Sequence, residues 1–132
     1  MSASLTILVA DDDLLFSTRI ESAVTLHGHR ARVVRTATAF RNALRERPDA
    51  AIVNLAASGM DAIDAIRRTK ADPRTRTIPL LGFCGHTDTA RRRAAQEAGC
   101  DRVATNGEVS SNLPRLLEML LDNVQASEHR TI

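Results

Sequence analysis

No stretch of the chain approaches the ~20 apolar residues that a membrane span requires, and the N-terminus lacks the basic, apolar and small-residue succession of a secretory signal. A cytoplasmic protein with no membrane partner is the expectation. The two cysteines, Cys84 and Cys100, lack CxxC spacing, so reduced thiols are the default in that compartment. The four histidines, His27, His29, His86 and His129, do not stand at metal-ligand spacing with them, which argues against zinc. A dominant charge sign is also missing. The 18 Lys and Arg residues are interspersed with 16 Asp and Glu, for a formal charge of +2. Most arginines therefore belong on a solvated surface. Only Arg91, Arg92 and Arg93 form a run, and helix faces carry such runs for solubility alone. Nucleic acid is not an expected partner.

What the sequence does have is a regular alternation of two periodicities. "LTILVA" (Leu5 to Ala10) is a short apolar run ending in three aspartates, as a strand buried on both faces would read. Phe16, Ile20, Ala23 and Val24 then recur at helical spacing until Gly28 supplies a stop. "ARVVR" is a second strand, and Ala37, Phe40, Ala43 and Leu44 stripe a helix closed by Pro48. "AAIVNL" is the third strand, with Met60, Ile63 and Ile66 on the helix after it. "IPLLGF" is the fourth, followed by a helix from Ala90 to Gly99, and "DRVAT" is the fifth. Leu113, Leu116, Leu117, Leu120, Leu121 and Val124 mark the strongest amphipathic helix, with Pro114 tolerated in its first turn.

Five strands alternating with five helices imply an α/β domain, a doubly wound parallel sheet covered on both faces. At 132 residues one domain suffices, assigned to 1–125 with a polar tail at 126–132. In such sheets chemistry sits outside the carboxyl ends of the strands. Those ends are Asp11–Asp13, Asn54, Cys84 and Asn106. Asp13 is expected as a helix N-cap, and His86 as a surface-loop residue.

"ILVADDD", "RPDAAIVNLAASGMDAIDAIRRTKADPRTRTIPLL" and "AAQEAGCDRVATNG" together resemble the receiver domain of bacterial two-component response regulators, over about Leu5 to Leu121. The resemblance implies the flavodoxin-like receiver fold with strand order 2-1-3-4-5. In that family an acidic pair helps bind magnesium, and an aspartate after the third strand accepts a phosphoryl group. A Ser or Thr after the fourth strand and a Lys after the fifth contact that group. Asp11 and Asp12 match the acidic pair, but the phosphoacceptor position is Asn54, the hydroxyl position Cys84 and the lysine position Asn106. Val103 stands at the switch aromatic, and Gly107 where a proline usually follows the lysine. The chain has no Tyr or Trp at all, so the switch is lost with its trigger.

Each replacement has a chemical consequence. An amide oxygen is a far poorer nucleophile than a carboxylate, and no neighbouring side chain activates it. Phosphoryl transfer relies on positioned cations, and Asn106 offers none. Cys84 substitutes a weak thiol donor for a hydroxyl. Two Asn in place of an Asp and a Lys leave the formal charge of the cluster unchanged. Asn54 is open to a structural reading, its amide bonded to Asn106 or to the acidic pair. Magnesium is expected to bind weakly at best, through Asp11, Asp12 and the carbonyls of Asn54 or Ala56. Carboxylates near Cys84 would raise its thiol pKa and quiet it.

The expected function is a phosphorylation-independent pseudo-receiver, not an enzyme: a signalling module that binds a protein partner or a second copy of itself. The tail after Gln125 is too short for an output domain, so action in trans is expected. The expected surface is the fourth helix, fifth strand and fifth helix, with Arg91, Arg92, Arg93, Arg102, Arg115 and Glu118 as contacts. The fourth helix should be weakly held, because its inward stripe would be Ala90, Ala94, Ala95 and Ala98. Two rivals stand beside this reading. A small-ligand or nucleotide sensor would bind at the same sheet edge, although "ADDDLLFS" offers no glycine-rich phosphate cradle. A residual phosphoryl acceptor would use Asp11, Asp12 or Asp13 instead of Asn54.

Overall fold

A computed structural model describes the backbone of residues 4–130 and the side chains of residues 4–122. Five parallel strands, β1 (Thr6–Ala10), β2 (Arg30–Val34), β3 (Ala50–Asn54), β4 (Leu80–Cys84) and β5 (Arg102–Thr105), form one sheet in the expected order β2-β1-β3-β4-β5. Every residue of β3 and β4 is buried, which is why these strands read as unbroken apolar runs. The crossovers are α1 (Leu14–Leu26), α2 (Ala37–Leu44), α3 (Ala62–Ala71) and α4 (Thr89–Glu97). On one face Phe40, Leu44, Ile66 and Ala95 bring α2, α3 and α4 onto Leu8, Ala51 and Leu80. On the other, Ile20, Val24 and Leu117 cover Ile7, Ile52 and Phe83.

Six helices are present among the described residues where five were expected. The addition is α5 (Asn106–Ser111), which precedes α6 (Leu113–Arg130). Its cause is a capping box: Thr105 Oγ1 accepts the Glu108 N–H, and the Glu108 carboxylate accepts the Thr105 N–H. In α6, Leu113, Leu116, Leu117 and Leu120 are buried as the stripe required, and Leu121 is half-buried. Val124 and the side chains of the expected tail lie outside the described residues, although the backbone helix continues to Arg130. No described helix is long and apolar enough to cross a membrane.

Short acidic motifs hold the strand starts. Asp49, of the "PD" before β3, accepts the Thr6 N–H at 2.8 Å. Asp101 Oδ2 accepts both the Leu80 N–H and Lys70 Nζ, each at 2.8 Å. Each carboxylate thus satisfies a donor at the edge of the ladder that would otherwise be buried without a partner. Gly28, directly after the α1 cap residue His27, has φ 83° and ends that helix in the left-handed region.

The stripe of α4 needs one correction. Ala95 and Ala98 are buried and Ala94 is half-buried, but Ala90 is exposed. The helix begins at Thr89, capped by Asp88, and at 100° per residue Ala90 falls far around the helix from the buried Ala95. α4 therefore rests on even less apolar surface than the sequence implied.

Arg47 is the one described non-glycine residue with positive φ, at 55°. It lies two residues past the α2 cap residue Arg45 and immediately before Pro48. An L-residue in this region costs roughly 1 kcal/mol, which glycine avoids. Arg47→Gly is therefore expected to raise stability by up to about 1 kcal/mol, or about 2–5 °C in a thermal melt.

Candidate functional site

The strand ends bring Asp11 and Asn54 into contact. Asp11 follows β1 and is completely buried, its backbone N–H donating to the Val34 carbonyl at 3.0 Å. Its Oδ1 accepts Asn54 Nδ2 at 2.9 Å and the Asp13 N–H at 2.9 Å. Its Oδ2 is buried with no partner. Asn54 closes β3 at 8% exposure, and its Oδ1 accepts the Ala56 N–H at 2.9 Å. These two neighbours fix the amide orientation, because a carboxylate requires the NH2 side and a backbone N–H requires the carbonyl side. Of the two structural roles open to Asn54, bonding to the acidic pair is the one present, and only through Asp11.

The two acids have opposite electrostatics. Burial pushes the Asp11 carboxyl pKa up, against the lowering effect of the hydrogen bonds from Asn54 and Asp13. Asp12 is held below its ordinary value, first by the Ser58 hydroxyl and then by backbone N–H groups. Its Oδ2 accepts Ser58 Oγ at 2.8 Å, the Ser58 N–H at 2.9 Å and the Gly59 N–H at 2.8 Å. Ser58 and Gly59 were missed as site residues. Their signal was the "SG" pair in the loop after β3: a hydroxyl followed by the one residue that fits. A Cβ on Gly59 would stand 2.7 Å from the Arg35 carbonyl oxygen.

The other expected members do not join this pair. Asp13 is the α1 N-cap, as expected, accepting the Leu15 and Phe16 N–H groups. Asn106 is half-buried at the start of α5, and its side chain makes no hydrogen bond to Asn54 or Asp11 among the described residues. Gly107 lies exposed in the same helix, and Val103 is half-buried against the α2–α3–α4 core. Cys84 is buried, its thiol 3.9 Å from the Asp88 carbonyl. The thiol pKa is raised as expected, but the causes are burial and then Asp88, not the acidic pair. Arg91 and Arg92 are close enough to oppose that rise. His86 is exposed.

Whether the residues fit a cation can be read from their donors. Asp11 Oδ2 is an orphaned acceptor, but Asp12 Oδ2 has three donors and Asn54 Oδ1 is turned to Ala56. Among the described residues no three His, Cys, Asp or Glu side chains gather as a metal-holding group. Magnesium takes one or two carboxylates and several waters, and of these atoms only Asp11 Oδ2 could meet it without giving up a hydrogen bond. Of the expected contact residues, Arg93, Arg102, Arg115 and Glu118 are exposed and Arg92 is half-buried. Arg91 is paired to Asp88 at 2.5 Å.

No protein-family model matches the chain, and no curated protein does. Solved structures do. A chain described as a response regulator from Chloroflexus aurantiacus J-10-fl superposes with a TM-score of 0.79 at 24% identity, covering 90% of this chain and 99% of that one. The receiver domain of the sensor histidine kinase PA1611 from Pseudomonas aeruginosa PAO1, with magnesium coordinated in its active-site cleft, gives 0.80 at 22%, covering 93% and 99%. NtrX from Brucella abortus gives 0.86 at 17%, covering 98% of this chain but 29% of NtrX. The chain therefore has the flavodoxin-like receiver fold.

Because the folded pKa of Asp11 is raised, its ionisation on burial costs stability as pH climbs from 3.8 through the folded value. Asp11→Asn removes that cost and keeps an acceptor for Asn54 and Asp13. The variant should melt higher than the parent at pH 7, with the gain vanishing below about pH 4. Melting curves across pH 3–8 measure it. Asp12 has the opposite sign: its contribution is present above 3.8 and is lost as pH falls through its depressed value.

Proposed function

We propose that this chain is a pseudo-receiver, a signalling module of two-component type that works by protein association without being phosphorylated. The observation that carries the reading is the two-way lock on Asn54: its NH2 is held by Asp11 and its oxygen by Ala56. A side chain so held presents no nucleophile to an incoming phosphoryl donor. Nor does β5 deliver a cation to the mouth. Where the family places its lysine, Asn106 opens a capped helix that carries Glu108 in its first turn.

The remaining carboxylates are poor substitutes as acceptors. Asp11 is fully buried, Asp12 Oδ2 accepts three hydrogen bonds, and Asp13 is engaged as a helix cap. Magnesium, on the same reading, binds too weakly to matter at cellular concentrations. The proposed partner surface is α4, β5 and α6, where Arg93, Arg102, Arg115 and Glu118 are exposed. The partner is a protein, a second copy of this chain included.

Incubation with acetyl phosphate and magnesium is expected to leave the intact mass unchanged. A phosphoryl adduct on any of the three N-terminal aspartates, located by peptide mass spectrometry, would refute the reading. Asn54→Asp alone should also remain unlabelled, since no cation stands opposite it; efficient labelling would show that the lysine is dispensable here. Hydrogen exchange offers a check on the output face: α4, with only Ala95 and Ala98 buried, should exchange faster than α6. Equal protection would remove α4 as the yielding element.

A further inference from the structure

One concavity among the described residues shares none of its lining with the strand-end site. It is a groove of about 740 Å³ between α2 and α3, within the volume range of small-molecule sites. Phe40 and Leu44 form its floor but are buried in the core, so its accessible apolar lining comes from the half-buried Ala37 and Ala65 and the stems of its arginines. Its charged rim is unevenly committed. On the α3 side, Arg68 is bonded to Asp64 at 2.8 Å and Arg74 to Asp72 at 3.0 Å, while Asp61 caps the helix. On the α2 side Arg41, Arg45 and Arg47 have no ion-pair partner among the described residues.

A helix C-terminus attracts basic residues through its dipole, which accounts for Arg41 and Arg45. It does not account for Arg47, which lies beyond the helix in a left-handed conformation that glycine would adopt without strain. Backbone strain kept at the lip of a cavity is a pointer from geometry to function. Arginine's planar fork is the side chain best suited to phosphate and carboxylate groups.

We propose that this groove binds a small organic anion of nucleotide size, its phosphate groups on Arg41, Arg45 and Arg47 and its ring against the half-buried Ala37 and Ala65 and the aliphatic stems of the arginines. An inorganic anion alone would leave most of the volume and all of the apolar lining unused. The site is separate from the strand ends, where Asp11 and Asp12 would repel an anion. It lies on the same face of the sheet as α4. The inference stands independently of whether Asn54 can be phosphorylated.

The test is a thermal-shift and calorimetric titration with ATP, GTP and cyclic di-GMP, with tripolyphosphate and a poly-glutamate peptide alongside. At least one nucleotide should give saturable stabilisation and tripolyphosphate markedly less. Arg45→Ala and Arg47→Gly should each weaken nucleotide binding about tenfold, the loss of one charged hydrogen bond. Arg47→Gly should do so while raising the melting midpoint of the unliganded protein, so misfolding cannot mimic the result. Amide shifts on titration should centre on α2 and α3. No saturable nucleotide binding, equal binding of tripolyphosphate, preference for the peptide, or shifts centred on Asp11 and Asn54 would each overturn the assignment.

Discussion

The hydrogen bond from Asn54 to Asp11 ties together the carboxyl ends of β1 and β3, the centre of this sheet. Parallel strands direct their ends to one side, so whatever polar groups follow β1 and β3 must settle with each other in a buried space. Asp11 is at 0% exposure and makes no ion pair with a side chain among the described residues. The amide supplies one donor, the Asp13 backbone a second, and Oδ2 is left with none. A buried carboxylate so incompletely paired is costly, and the raised pKa expresses that cost. Asp12 escapes it by turning outward to Ser58 and Gly59. The acidic pair is thereby divided: one member is a structural acceptor under strain, the other a clamp on the β3–α3 loop.

That division was only partly legible in the sequence. The sheet was, because β3 and β4 are buried at every position and such runs admit few other readings. That Asn54 and Asp11 stand at neighbouring strand ends was legible too, since the strand order brings β1 and β3 together. What could not be read was the choice of partner. Asn106 and the acidic pair were both open as partners, and in the structure Asn106 begins α5 with no side-chain hydrogen bond to Asn54 among the described residues. The signal for α5 was present in Thr105 and Glu108, but Gly107 between them has low helix propensity and hid it. The role of Ser58 and Gly59 depends on a loop path, and periodicity does not report loop paths.

The Cys84 thiol shows a right direction reached by a wrong cause. The sequence placed it among carboxylates; the fold turns it toward Asp88, and burial dominates. The same turn carries the arginine run. Arg91 is fixed to the α4 cap residue and Arg92 is half-buried, which leaves Arg93 as the exposed member with no ion pair among the described residues. A run of three like charges in sequence is thus three different environments on a helix, as the 100° step between residues requires.

On the proposed reading, a module that does not respond to phosphate still needs some element with two arrangements if it is to signal by more than constitutive binding. The strand-five position that would carry such motion holds Val103, already packed against the core. α4 is the better candidate on physical grounds. Alanines are its only buried contribution, and each buries far less apolar surface than leucine would. It shares its face of the sheet with α2 and α3, whose intervening groove has charges and volume to spare. A ligand that drew α2 and α3 together would change the packing on the neighbouring α4, and a weakly held helix is where such a change would register. On this view regulation has not vanished with the nucleophile. It has moved from the carboxyl edge of the sheet to one of its faces.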